Sequence, residues 1–168
     1  MRPPKLTRQT EIKTIDSFPD YAMLFMEQKM ITVHSLDYPV SFGDCDPAGI
    51  VFYPHVYAWF DRTFHDWLRQ FGGHGALCER LGAIGIGLLE ASARFLRPMR
   101  DGDSLILTLS LEEWGRKTLR LSYEGRVGGD ITVVGSEVRA LFKHGNTGMV
   151  AAEIEALRSM VEANGQER

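Results

Sequence analysis

Apolar residues recur at two different periods along this chain, and the change of period divides it. From Pro54 to about Phe71, the residues Val56, Phe60, Phe64, Trp67 and Phe71 recur at spacings of four, four, three and four, one continuous helical face. Trp59 widens that face, which predicts a helix buried on more than one side. Gly72-Gly73 ends the run, and residues 76–81 suit one more short helical piece. Before the helix, Ile31 to Phe42 suits a strand, with Ile31, Val33 and Val40 as its apolar members. After it the period shortens to two. Residues 84–96 read as a strand. Leu105, Leu107, Leu109 and Leu111 then alternate with Ser104, Ile106, Thr108 and Ser110. Strands follow at 118–127, with Leu119, Leu121 and Tyr123 on one face, and at 131–142. A short edge strand at 149–152 and a helix over 153–163 close the chain. Asp101-Gly102-Asp103, Trp114-Gly115, Gly128-Gly129-Asp130 and residues 145–148 are the turns between them, short enough to favour antiparallel pairing. The expected architecture is α+β: one strand, a long buried helix, then a meander. A strongly curved antiparallel sheet wrapped around one central helix would bury most of that helix.

Residues 1–29 differ from the rest. They are mixed polar with one apolar patch at 21–26, and read as an N-terminal extension to a single domain over 30–168, with Met30 offering an alternative start. The 168 residues suffice for one domain with a sizeable core. Hydrophobic residues at 44% and charged residues at 24% are ordinary for a soluble globular protein. A net charge of -3 argues against a nucleic-acid partner. No apolar run approaches a membrane span, and the N-terminus has Arg2, Lys5, Arg8 and Lys13 but no signal-peptide core, so the expected compartment is the cytoplasm. Cys45 and Cys78 lack metal or redox spacing and read as reduced.

The chemistry concentrates in residues 44–54. Asp46-Pro47-Ala48-Gly49 fits a type I turn, with Asp at the first position, Pro at the second and Gly at the fourth. Pro54 suits the first turn of a helix, whose start offers unpaired N–H groups and a partial positive charge. A carboxylate near such donors suits acyl chemistry: the carboxylate attacks or activates water, and the donors hold the oxyanion. An aspartate opening a turn commonly does no more than bond its own backbone, and that reading stands beside the catalytic one. Asp44 reads as a turn or sheet-end residue. His34 and His144 have no acid or cysteine partner nearby in sequence, His65 reads as a polar-face residue and His74 sits in a glycine-rich loop; none is expected to be a ligand or base. His55, in the first helical turn, reads equally as a cap, a packing residue or a substrate contact.

Phe42 to Pro54, Trp59, Asp61 and the later segment Glu113-Trp114-Gly115-Arg116-Lys117 resemble the 4-hydroxybenzoyl-CoA thioesterase family of hotdog-fold proteins, over roughly residues 31 to 152. The resemblance implies a hotdog fold, hydrolysis of an acyl-CoA thioester, and a homodimer assembling to a tetramer with sites at the subunit interface. It implies Asp46 as catalytic nucleophile or general base, and the backbone N–H of Tyr53 as the group polarising the thioester carbonyl. Gly49, His55, Trp59 and Asp61 are the substrate-binding positions it suggests, and Arg116 and Lys117 the cations meeting the coenzyme A phosphates. No metal or cofactor is expected, coenzyme A being part of the substrate. Gly115 stands where the family's enzyme has a second arginine, and His55 replaces an asparagine. The acyl group remains open between an aromatic one and a fatty acyl chain on coenzyme A or acyl carrier protein. A non-catalytic acyl-CoA-binding hotdog module is the alternative from another class.

Overall fold

The computed structural model describes residues 30–166; the extension expected over 1–29 lies outside them. Six strands form one antiparallel sheet: β1 (Ile31–Pro39), β2 (Gly85–Phe95), β3 (Ser104–Trp114), β4 (Thr118–Val127), β5 (Asp130–Gly145) and β6 (Gly148–Ala151). The long helix α1 spans Tyr53–Leu68 and runs through a 3-10 turn to Phe71. A shorter α2 covers Gly73–Leu81, and α3 (Glu155–Gln166) closes the chain.

The strand order is β1-β3-β4-β5-β2. Only β3, β4 and β5 make the expected meander. β2 follows the helices in sequence but lies beyond β5, while β1 pairs β3 with Leu36 opposite Leu107. The reason is the crossover: the chain leaves β1, crosses the sheet through α1 and α2, and returns at the opposite edge. β6 continues the pairing of β5 beyond the end of β4, so Phe142 faces Gly85 on one side and Ala151 on the other.

The sheet curves because all four long ladders slip register once, between Thr32 and His34, Leu88 and Glu90, Leu111 and Glu113, and Gly125 and Arg126. An extra residue on one strand bends and twists it locally. The alternation of β3 then places Leu105, Leu107, Leu109 and Leu111 on the inner face, where they meet Phe60, Phe64, Trp67 and Leu68 of α1 in one core. Helix and sheet come close at Gly135: a Cβ there would fall 2.3 Å from the Phe60 ring, which stacks on Tyr123 at 4.3 Å. This is the hotdog arrangement. The helix is less enclosed than its aromatic content predicts. Ala58, Asp61, Arg62 and, just past its end, Arg69 leave an exposed stripe along α1.

Candidate active site

The segment before α1 is a small knot of backbone hydrogen bonds. The chain leaves β1 through Val40, whose N–H donates to Asp103 O at 2.8 Å. A 3-10 turn over Phe42–Asp44 follows, held by Asp44, whose Oδ2 accepts the Ser41 N–H at 2.9 Å and the Ser41 hydroxyl at 2.6 Å. The Ser41 hydroxyl, and after it the backbone, hold the Asp44 carboxyl below the usual range. Asp44 is therefore the turn residue expected of it.

Cys45 and Val51 then pair across a tiny hairpin. Gly49 N–H donates to Asp46 O at 2.8 Å, Asp46 N–H donates to Ile50 O at 2.9 Å, and Gly49 has φ +72°. This is a type I turn closed by a glycine bulge, the usual build of a three-residue hairpin loop. A side chain at Gly49 would be strained by that φ, which gives the glycine a backbone role. The loop is tied down by Val51 N–H on Met99 O at 2.9 Å and by Arg100 Nη1 on Gly49 O at 3.4 Å.

Asp46 sits at the head of this loop. Its Oδ1 accepts the Ala48 N–H at 2.8 Å, the local bond common to turn aspartates, and among the described residues Oδ2 has no hydrogen bond. Phe52 N–H returns to Asp44 O at 2.8 Å, which brings the first turn of α1 beside the loop. Phe52 is extended (φ -69°, ψ 122°), and Tyr53 is the first helical residue, with Pro54 behind it. Among the described residues no acceptor is paired with the Tyr53 N–H. A carboxylate oxygen and a helix N-terminal donor, both without a partner among the described residues, thus share one hydrogen-bonded segment. A nucleophile or base beside a donor is the minimum for addition to a thioester carbonyl.

The other expected positions divide. His55 lies over the site's flank, its Nδ1 3.6 Å from Asp44 Oδ1 and its ring 6.4 Å from Trp59. Trp59 is 6% exposed and stacks on Tyr38 at 5.5 Å, so in the single chain it belongs to the core. Asp61 lies two turns further along α1 with its Oδ1 2.8 Å from Arg139 Nη2. Arg116 and Lys117 are at the β3–β4 hairpin, where Arg116 pairs with Glu153 at 3.0 Å in solvent. That hairpin is at the far end of β3 from the Asp46 loop. Eleven extended residues separate the two places, roughly 35 Å at the usual rise per strand residue.

Three features escaped the sequence reading. His34 Nε2 meets Asp66 Oδ2 at 2.9 Å, across 32 positions. His74 Nε2 accepts the Ile86 N–H at 3.1 Å, tying α2 to β2. Glu137 and Arg139, 1% and 2% exposed, form a charged cluster inside the core. Its signal was available: the two are neighbours on the strand face that carries Val133 and Leu141. Among the described residues no group of three or more His, Cys, Asp or Glu could hold a metal ion.

A family model described as the Thioesterase superfamily matches residues 48–134. The 4-hydroxybenzoyl-CoA thioesterase of Pseudomonas sp. (strain CBS-3) is 30% identical over 125 residues, covering 70% of this chain and 88% of that protein. The 1,4-dihydroxy-2-naphthoyl-CoA hydrolase of Trichodesmium erythraeum (strain IMS101) is 31% identical over 85 residues, 51% of this chain and 62% of that protein. The solved structure of the Pseudomonas thioesterase matches with a TM-score of 0.67 at 25% identity, covering 76% of this chain and 96% of that one. A gentisyl-coenzyme A thioesterase matches with a TM-score of 0.63 at 27% identity, over 74% and 98%. On the extent of these matches, this chain belongs to the Thioesterase superfamily.

Proposed function

We propose that this protein hydrolyses acyl-CoA thioesters and that its acyl group is aromatic. The observation that carries this reading is that Asp46 Oδ2 and the Tyr53 N–H lie in one segment, residues 44–54, and that neither has a partner among the described residues. The thioester carbonyl oxygen accepts the Tyr53 N–H, which draws charge off the carbonyl carbon. Asp46 then adds to that carbon itself, or takes the proton of a water that adds. Collapse of the adduct breaks the C–S bond and releases coenzyme A as thiolate; on the first route water then hydrolyses the acyl anhydride left on Asp46, and on the second the acid forms directly and Asp46 returns its proton to the thiolate or to solvent. A thiolate leaves readily, so the step needs placement and charge stabilisation from the protein. The relatives named above act on hydroxylated aromatic acyl-CoAs, which favours an aromatic acyl group here.

The working unit on this reading is a homodimer assembling to a tetramer. Two observations support shared sites. Among the described residues the outer edge of β2 is unpaired, and Leu88, Leu89 and Phe95 on that strand and Leu96 just after it are exposed, a surface that an identical edge can pair with and cover. Arg116 and Lys117 lie a full strand length from Asp46 in one chain, so a coenzyme A that meets both draws them from different subunits. His55 and Gly49 line the approach to the thioester on this reading. The cytoplasm is the compartment we propose; Cys45 and Cys78 are free thiols, and among the described residues no helix is long and apolar enough to cross a membrane.

Released thiol, measured over aromatic, short, medium and long acyl-CoAs, tests the substrate class. The expected result is the highest kcat/KM on an aromatic acyl-CoA. A preference for long fatty acyl-CoA overturns the aromatic assignment, and binding without turnover on every substrate overturns the enzyme.

A further inference from the structure

Left-handed glycines mark both ends of α2. Gly72 and Gly73 have φ 90° and 86° where it begins, and Gly82 has φ 57° where it stops. Between them Leu77, Cys78 and Leu81 are buried against the core. His74, in the first turn, ties this short helix to the sheet. The Ile86 N–H of β2 donates to His74 Nε2 at 3.1 Å, and Cys78 Sγ lies 3.6 Å from the same nitrogen. The ring rests on the β2 backbone, where a Cβ at Gly85 would sit 3.7 Å from its Cε1. A ring nitrogen that accepts a backbone N–H carries no proton, so this imidazole is neutral and holds its hydrogen on Nδ1. Burial pushes the Cys78 thiol up, so it keeps its proton and gives an imidazolium no counter-charge.

We propose that His74 is an acid-sensitive latch: as imidazole it holds α2 on β2, and as imidazolium it turns away the Ile86 N–H and lets α2 swing on its glycine ends. The latch goes beyond the acyl chemistry above, since His74, Cys78 and Ile86 have no part in it. The titratable and charged groups around His74 come from three elements. On α1 the His65 ring lies 5.1 Å away, centre to centre, with Asp61 on the same helix; Arg139 faces it from β5, and Cys78 from α2 itself. Burial first, then His65 and Arg139, hold the imidazole below its ordinary value of 6.5, and Asp61 pulls the other way. A lowered value in the folded chain fixes the sign. The stability that the latch contributes is fully present above about 6.5 and is lost as pH falls through the lowered folded value. On protonation two N–H groups would point at one another across the α2–β2 contact, at the place where two adjacent glycines leave the backbone free to turn.

Two measurements on the full chain test the latch. In the wild type, long-range ¹H–¹⁵N correlation of the imidazoles is expected to show the His74 proton on Nδ1 at pH 7.5 and a titration midpoint below 6.5. A proton on Nε2 at pH 7.5, or a midpoint at or above 6.5, overturns the proposal. The second measurement follows Cys78 in a Cys45→Ser background, where it is the one thiol in the sequence. The probe is 4,4′-dithiodipyridine, which stays reactive in acid, with each rate divided by that of free cysteine at the same pH. Lowering the pH from 7.5 to 5.5 should raise the normalised rate by about 2- to 10-fold, the equilibrium worth of one hydrogen bond. With His74→Gln added, the amide oxygen still accepts the Ile86 N–H but does not titrate, so the rate should stay flat. An equal rise in both chains marks general acid loosening and overturns the latch, as does no rise in either. The imidazole titration needs no substitution at His74 and decides the matter even where the glutamine chain does not fold.

Discussion

One Asp46 oxygen holds the Ala48 N–H, and among the described residues the other has no hydrogen bond, which is the oxygen the proposed chemistry uses. Asparagine keeps the turn bond but cannot act as nucleophile or base. Asp46→Asn is therefore expected to lower kcat by about 10²–10⁴-fold with little change in melting temperature; wild-type turnover in that variant would make Asp46 structural. Tyr123 supplies a second measurement. Its folded-state pKa is raised by burial, so the unfolded chain ionises first as pH rises. The stability this phenol contributes is fully present below a tyrosine's ordinary value of about 10 and is lost above it. Tyr38, also pushed up by burial, adds in the same direction. Urea unfolding at pH 8 and pH 11 should show a smaller alkaline loss in Tyr123→Phe than in the wild type, and equal losses would remove Tyr123 from the account. The turn at residues 46–49 was legible because proline and glycine punctuate the chain locally. The partner of His34, 32 positions away, was not, since no short-range pattern reports a contact made by folding.

At the level of elements, helix placement on the sheet depends on a missing side chain. Gly135→Ala would drive a methyl into the Phe60 ring and toward the Ser92 carbonyl, 2.7 Å from the added carbon. The backbone oxygen cannot swing aside, so the cost should be about 1–3 kcal/mol, read as a fall of several degrees in Tm. A melting curve that matches the wild type would mean that α1 rides more loosely on β4 and β5 than described. Element type and order followed from periodicity: the leucine alternation of β3 and the four-four-three-four run of α1 are strong local signals. The neighbours of β2 were not legible. A strand's own residues say that it has a buried face but not which strand lies beside it, and the crossover through two helices carries β2 past three strands. The exposed stripe of α1 was hidden for a related reason. Trp59 suggested burial on several sides, whereas Asp61 stays at the surface while its partner Arg139 is buried.

For the whole molecule, the edge of β2, unpaired among the described residues and flanked by exposed apolar side chains, predicts a dimer or higher oligomer at micromolar concentration by light scattering. A folded, active monomer would contradict it. The position of the β3–β4 hairpin adds a kinetic expectation. Replacing Arg116 and Lys117 by Ala should raise KM for acyl-CoA, more so at low salt, where exposed charges act at longer range. A short thioester without the nucleotide should not notice, and equal losses on both substrates would mean damage to the fold. The length of β3 has one more consequence, which belongs to mixed populations of chains. A chain carrying Asp46→Asn and a chain carrying the two alanines are each defective alone. On the proposed dimer with shared sites, co-expressed chains would form heterodimers in which one cleft inherits both lesions and the other inherits neither. Two crippled genes in one cell should thus restore part of the activity, as interallelic complementation, and the recovered fraction would count how many clefts are built across a boundary between chains.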